Sequence, residues 1–167
     1  MSYDLTQLDT LQLAKKVVEK ATKTQTLIAL AESCTGGMIA ATITNIAGSS
    51  IVFDRGFVTY SNKAKMDVLG VSEAMLKSHG SVSEDTARAM ANGTFIAAPD
   101  ANLVLSVTGI AGPGGSSVGK PVGLVHFSCQ RYDAPQCHAS HIFSGARDQI
   151  RQKAVKTALL MIFNEMD

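Results

Sequence analysis

The chain has 167 residues, of which 46% are apolar and 17% charged, and its formal net charge is +1. That balance suits one globular domain and excludes a disordered chain; it offers no basic excess for nucleic acid or anionic lipid. Tryptophan is absent and aromatics make up 5%, which argues against a base-stacking surface, and no apolar run approaches the ~20 residues of a transmembrane helix.

The first residues, Met1-Ser2-Tyr3-Asp4-Leu5-Thr6, lack the basic and apolar regions of a signal peptide. The three cysteines, Cys34, Cys129 and Cys137, form no CxxC pair. An odd number of unpaired thiols predicts a reducing, cytoplasmic setting and argues against a zinc site. No His/Asp/Glu cluster suggests a metal, and no cofactor is expected.

In chain order, Leu8, Leu11, Ala14, Val17, Val18 and Ala21 recur at helical spacing and predict an amphipathic helix over residues 5–22. Thr26–Ala31 reads as a buried strand, and a helix from Gly37 should end near Asn45. A second strand is predicted over Ile51–Tyr60, with a bulge or bend at Asp54-Arg55-Gly56. Ser61-Asn62 caps a short helix closed by Gly70; Ser72-Glu73 starts another that ends at Gly80; Ser83-Glu84-Asp85 caps a longer one that runs to about Ala97. Ala101–Thr108 is an apolar strand followed by the glycine-rich stretch Gly109–Lys120. Val122–Arg131 and Cys137–Phe143 read as an antiparallel hairpin, and a last helix opens near Arg147. This order implies a mixed, mostly parallel sheet covered by helices on both faces, with the hairpin at the C-terminal side.

Three strands end in polar groups: the first at Ser33, the second at Tyr60 with Lys63 and Lys65 just beyond, the third at Thr108. If they run parallel, these ends share the edge where open α/β sheets bind ligands. The stretch Ala31-Glu32-Ser33-Cys34-Thr35-Gly36-Gly37 is a strand-to-helix turn, suited to a nucleophile or to an anion held by backbone N–H groups. The N–H groups of Thr35, Gly36 and Gly37 are the expected oxyanion donors. The plain alternative is a capped βα turn with Ser33 or Thr35 as N-cap. A Ser33 nucleophile needs a base. The four histidines sit at a helix end or in the hairpin, so a Ser-His-Asp triad is disfavoured. A lysine in a desolvated cleft can accept a serine proton, and Lys63 and Lys65 both qualify by position; the ordinary alternative is two solvated helix lysines. Gly109, Gly112 and Gly114 belong to a loop that can wrap a phosphate or sugar through its amides. Arg147, at a helix start, suits a carboxylate or phosphate.

Five stretches in this order resemble the CinA C-terminal domain family: AESCTGG at 31–37, GFVTYSNKAK at 56–65, HGSVSE at 79–84, VTGIAGPGG at 107–115 and KPVG at 120–123. The family includes stand-alone nicotinamide-nucleotide amidohydrolases. The resemblance implies a three-layer α/β/α sandwich and deamidation of nicotinamide mononucleotide to nicotinate mononucleotide and ammonia, a step of pyridine-nucleotide salvage. It implies Ser33 as nucleophile, Tyr60 as an assisting group, and Lys65, the second lysine of YSNxAK, as the base. Thr108 and Arg147 follow as substrate-binding residues. Nothing in the sequence matches the family's N-terminal domain, so the stand-alone form is expected. Two departures, Ser81 where alanine is common and the variable 116–119 loop, remove no candidate group. The alternative from another class is a non-catalytic nucleotide-binding or regulatory module, which would not need Ser33 and Lys65 together. The apolar terminal helices suggest a homodimer.

Overall fold

The computed structural model describes residues 4–166; Met1–Tyr3, the start of the stretch read against a signal peptide, and Asp167 lie outside the described residues. Leu5–Gln7 form a short 3-10 turn, and helix α1 runs from Thr10 to Thr24. The predicted helix over 5–22 therefore starts later. Asp9 accepts the Gln12 N–H at 2.8 Å while the Gln12 side chain accepts the Asp9 N–H at 3.0 Å, a reciprocal cap that fixes the first turn at Thr10. Strand β1 is Ile28–Glu32 and helix α2 is Met38–Thr44. Strand β2, Phe53–Val58, carries the expected bulge: Ile28 pairs with Phe53 and Ala29 with Arg55, which leaves Asp54 as the extra residue.

Three helices follow: α3 (Asn62–Leu69), α4 (Glu73–His79) and α5 (Glu84–Ala97). Ser61, Ser72 and Ser83 cap them, each hydroxyl accepting the N–H three residues on. Gly93 on α5 is where α3 comes closest, because a Cβ there would lie 2.0 Å from the Leu69 carbonyl oxygen. Strands β3 (Leu103–Gly109), β4 (Leu124–Arg131) and β5 (Cys137–Ile142) and helix α6 (Arg147–Asn164) complete the described chain.

The strand order is β2-β1-β3-β4-β5. β1 pairs parallel with β2 and β3, whereas β4 pairs antiparallel with β3 and β5, so β4 alone among the described strands runs against the rest. Helices α1, α2 and α6 cover one face through Leu13, Val17, Ile39, Ile150 and Leu159; α3, α4 and α5 cover the other through Leu69, Leu76, Met90 and Ala91. The result is the expected three-layer α/β/α sandwich on a mixed sheet. β1 is flanked by parallel neighbours on both sides and covered on both faces, which is why all five of its residues are buried. The chain leaves β1 toward β2 over one face, then crosses the other face to reach β3. That reversal puts the switch point at the C-terminal ends of β1 and β3. The apolar faces of α1 and α6 pack on the sheet and on each other, so they do not supply the dimer surface that the sequence suggested.

Candidate active site

Ser33 is the first residue past β1. Its N–H donates to the Val107 carbonyl at 3.0 Å, which continues the β1–β3 pairing by one residue and fixes the serine against β3. On the other side, the Thr59 N–H donates to the Glu32 carbonyl at 2.9 Å and extends the β1–β2 pairing in the same way. The strand ends are therefore held rigidly where the polar groups begin.

Lys65 lies in the first turn of α3 and points back under this edge, with 1% of its surface exposed. Its Nζ donates to the carbonyls of Thr59 (2.8 Å) and Tyr60 (3.3 Å) and lies 2.9 Å from Ser33 Oγ. Burial pulls its pKa from 10.5 down to about 8, because no carboxylate offsets the loss of water around the charge. Two of the three partners can only accept. A neutral amine has two N–H bonds and one lone pair, so the carbonyls take the two N–H bonds and the lone pair faces the Ser33 hydroxyl. Lys63, the other sequence candidate, is exposed and pairs with Asp67 at 2.6 Å.

A cavity of about 370 Å³ opens over this pair, within the range of small-molecule sites, about 300–1,000 Å³. Three cationic side chains line it, Lys65, Lys120 and Arg147, and no carboxylate does. Gly109, Gly112 and Gly114 contribute its glycine wall. At Gly109 a Cβ would lie 2.7 Å from a Val125 methyl; at Gly112, which holds a φ of +79°, one would lie 2.6 Å from a Val122 methyl. Thr108 lines the cavity too, but its hydroxyl donates to the Ser81 carbonyl at 2.6 Å and pins the turn between α4 and α5. Lys120 donates to the His79 carbonyl at the end of α4. Arg147 donates to Gly112 O at 2.7 Å and to the Tyr60 hydroxyl at 2.9 Å.

Two of the sequence assignments come out differently in the geometry. Thr35, Gly36 and Gly37 do not line the cavity. The Gly36 N–H is taken by Ser33 O at 3.0 Å, and the Gly37 N–H by the Glu32 carboxylate at 3.0 Å. Glu32 also accepts the N–H groups of Ile39 (3.1 Å) and Ala40 (2.8 Å), so the anion expected at the start of α2 is supplied by the chain itself. Tyr60 is 59% exposed, and its hydroxyl meets Arg147; among the described residues no hydrogen bond joins that hydroxyl to Ser33 or Lys65. Its backbone carbonyl, not its phenol, touches the lysine.

Sequence reasoning gave no role to Glu32 or Lys120 and read Arg151 with Arg147 as a guanidinium for an anion, not as a partner of main-chain carbonyls. Glu32 was visible as the charged residue directly after a buried apolar strand. Arg151 was visible as the arginine one turn after Arg147; its Nε donates to Cys34 O at 3.1 Å and its Nη2 to Thr35 O at 2.9 Å. Cys34 is buried beside Ser33, and desolvation pushes its thiol up to about 12, so it is protonated near neutral pH. Among the described residues no group of three or more His, Cys, Asp or Glu side chains could hold a metal ion, and no helix is long and apolar enough to cross a membrane.

Fold and site together define a three-layer α/β protein with a buried serine–lysine pair at the sheet's switch point. The family model of the CinA C-terminal domain matches residues 10–166, and the chain belongs to that family. It is 42% identical over 161 residues to the nicotinamide-nucleotide amidohydrolase PncC of Escherichia coli (strain K12), covering 96% of this chain and 97% of that protein. It is 48% identical over 151 residues to a CinA-like protein of Syntrophobacter fumaroxidans, covering 90% of this chain; there it spans 35% of the relative's length. A crystal structure of the competence/damage inducible protein CihA from Agrobacterium tumefaciens superposes with a TM-score of 0.90 at 45% identity, over 94% of this chain and 95% of that one.

Proposed function

We propose that the protein is a nicotinamide-nucleotide amidohydrolase acting through a serine–lysine pair. The observation that carries this reading is the 2.9 Å approach of the buried Lys65 Nζ to Ser33 Oγ, with a cationic cavity above it. Relatives that cover most of the chain bear the name of that activity.

The neutral Lys65 amine takes the Ser33 proton as Oγ attacks the carboxamide carbon of nicotinamide mononucleotide. The carbonyl oxygen becomes an oxyanion, for which each backbone N–H donor contributes about 3–4 kcal/mol. The new Lys65 ammonium returns its proton to the departing nitrogen, which leaves as ammonia. Lys65 then deprotonates water, which attacks the Ser33 ester; the bond from the acyl carbon to Oγ breaks, the Lys65 ammonium returns its proton to Oγ, and nicotinate mononucleotide leaves. Arg147, Lys120 and the loop around Gly112 and Gly114 bind the phosphate and ribose. Thr108 shapes the wall by holding Ser81. Binding at that end orients the amide over Ser33 and so raises the chemical rate. The step fits pyridine-nucleotide salvage. The odd number of cysteines and the lack of a CxxC pair support a reducing cytoplasmic setting. Exposed Ile51, Val58 and Tyr60, on the edge strand β2 and just beyond its two ends, support a homodimer.

The test is ammonia release from nicotinamide mononucleotide by wild type, Ser33→Ala, Lys65→Ala and Cys34→Ala. The reading requires activity in wild type and Cys34→Ala and its loss in the other two. Folded wild type that binds the nucleotide without releasing ammonia would leave the non-catalytic binding module. Loss of activity in folded Cys34→Ala, with Ser33→Ala active, would move the nucleophile to the thiol.

A further inference from the structure

The turn that carries Ser33 is closed from three directions. Gly36 N–H donates to Ser33 O; Glu32 takes the N–H groups of Gly37, Ile39 and Ala40; and Met38 N–H donates to Thr35 O at 3.2 Å. Arg151, reaching across from α6, takes the remaining carbonyl, Cys34 O, and shares Thr35 O. Among the described residues neither the Cys34 N–H nor the Thr35 N–H donates to another residue; both residues are buried, and of the two only Cys34 lines the cavity. Its N–H is the amide that follows the nucleophile, the position from which strand-to-helix nucleophile turns donate to an oxyanion. A buried amide without an acceptor calls for a partner, and a substrate oxyanion over Ser33 would be one.

We infer that Arg151 is a positioning residue for acyl transfer: by holding the carbonyls of Cys34 and Thr35 toward α6, it fixes the Cys34 amide as the oxyanion donor. This inference rests on the serine-nucleophile reading. The peptide groups on both sides of Cys34 are clamped, the first by Gly36 N–H on Ser33 O and the second by Arg151 on Cys34 O, so the residue between them cannot turn its N–H away. The guanidinium is suited to this, because its planar fork addresses two acceptors at once. No carboxylate claims it: among the described residues Arg151 forms no ion pair, and its hydrogen bonds to Cys34 O and Thr35 O both go to this turn. Its charge therefore also lies close to where negative charge develops. Gly36 fits the same arrangement. It sits at φ +60°, and a Cβ there would lie 3.4 Å from Arg151 Nη2. Arg147, one turn earlier on α6, faces the cavity wall, so the two arginines of one helix divide between substrate and nucleophile turn.

Arg151→Ala and Arg151→Lys separate this role from a plain α6 staple. A donor held out of place costs about 100-fold in kcat, whereas KM should stay within about threefold because Arg151 is not among the cavity residues. Millimolar guanidinium should restore part of the lost rate in Arg151→Ala, and Arg151→Lys, which can hold one carbonyl, should fall between. The rate at which a fluorophosphonate labels Ser33 should drop in parallel, since that reaction also builds an oxyanion. This second readout needs no nicotinamide nucleotide. If wild type labels at Ser33 but releases no ammonia, the substrate assignment fails while the labelling rates still decide the role of Arg151. Unchanged kcat and labelling in a folded variant, or a loss confined to KM, overturns the inference. If Arg151→Ala does not fold, the same comparison with Arg151→Lys decides it.

Discussion

Lys65 Nζ stands 2.9 Å from Ser33 Oγ, and the Thr59 and Tyr60 carbonyls occupy its other two hydrogen-bonding directions. Protonation therefore changes one relationship, the one with the serine. In the ammonium form Nζ donates to Oγ and the serine stays a hydroxyl. In the amine form the direction reverses and Oγ becomes a nucleophile.

The pH dependence follows. With Lys65 at about 8, about one molecule in ten holds the amine at pH 7. The base must be unprotonated, so kcat/KM for ammonia release should rise with pH and level off above about 8. A profile flat from pH 6 to 9 would separate the rate from Lys65.

The same group ties stability to pH. The folded pKa is about 8 and the ordinary value is 10.5, so between them the unfolded chain binds more protons than the folded one. Stability then rises with pH through that window; the cost of the buried lysine is fully present below about 8 and gone above 10.5. Urea unfolding of wild type, measured against Lys65→Met, should show a relative gain of order 3 kcal/mol across the window. Parallel curves for the two proteins would contradict it.

Glu32 receives three backbone N–H groups on two carboxylate oxygens and is 1% exposed. Glu32→Gln places an NH2 group against one of those N–H donors and removes the charge facing the start of α2. The expected loss is about 2–3 kcal/mol in a denaturant titration, the range for hydrogen bonds to a buried charged group. A loss below about 0.5 kcal/mol, typical of a surface change, would mean the contacts carry no net stability.

Arg147 joins Gly112 O to the Tyr60 hydroxyl at the cavity wall. Arg147→Ala should raise KM for nicotinamide mononucleotide by about 10- to 100-fold, as expected for a lost charge-assisted contact. The phosphate-free nucleoside, nicotinamide riboside, should be affected far less. Equal losses on both substrates would assign Arg147 to the wall and not to the phosphate.

Element order was legible in the sequence because caps and glycine stops bracket the helices. Ser61, Ser72 and Ser83 each caps the helix expected of it, and Gly70 closes α3. The bulge at Asp54 was legible from a polar break in an apolar strand. The start of α1 was not, since apolar spacing continues through Leu8 while the Asp9–Gln12 exchange sets the boundary. At the site, the three strand ends do converge, and Lys65 does meet Ser33. What the sequence could not show is which groups are already engaged. Glu32 and Arg151 act on main-chain atoms, through contacts 117 positions apart in the case of Arg151 and Cys34, and no residue pattern announces such a bond.

A substrate with an amide at one end and a phosphate at the other can enter a symmetric cationic cleft in two directions. The Glu32 carboxylate narrows that choice. It already fills the positive start of α2, so that helix end is closed to a phosphate, whereas Lys120, Arg147 and the glycine loop line the cavity itself. Glu32 thus works as a permanently bound internal competitor. On the proposed reading it keeps the phosphate off the helix end behind the nucleophile without ever touching the ligand.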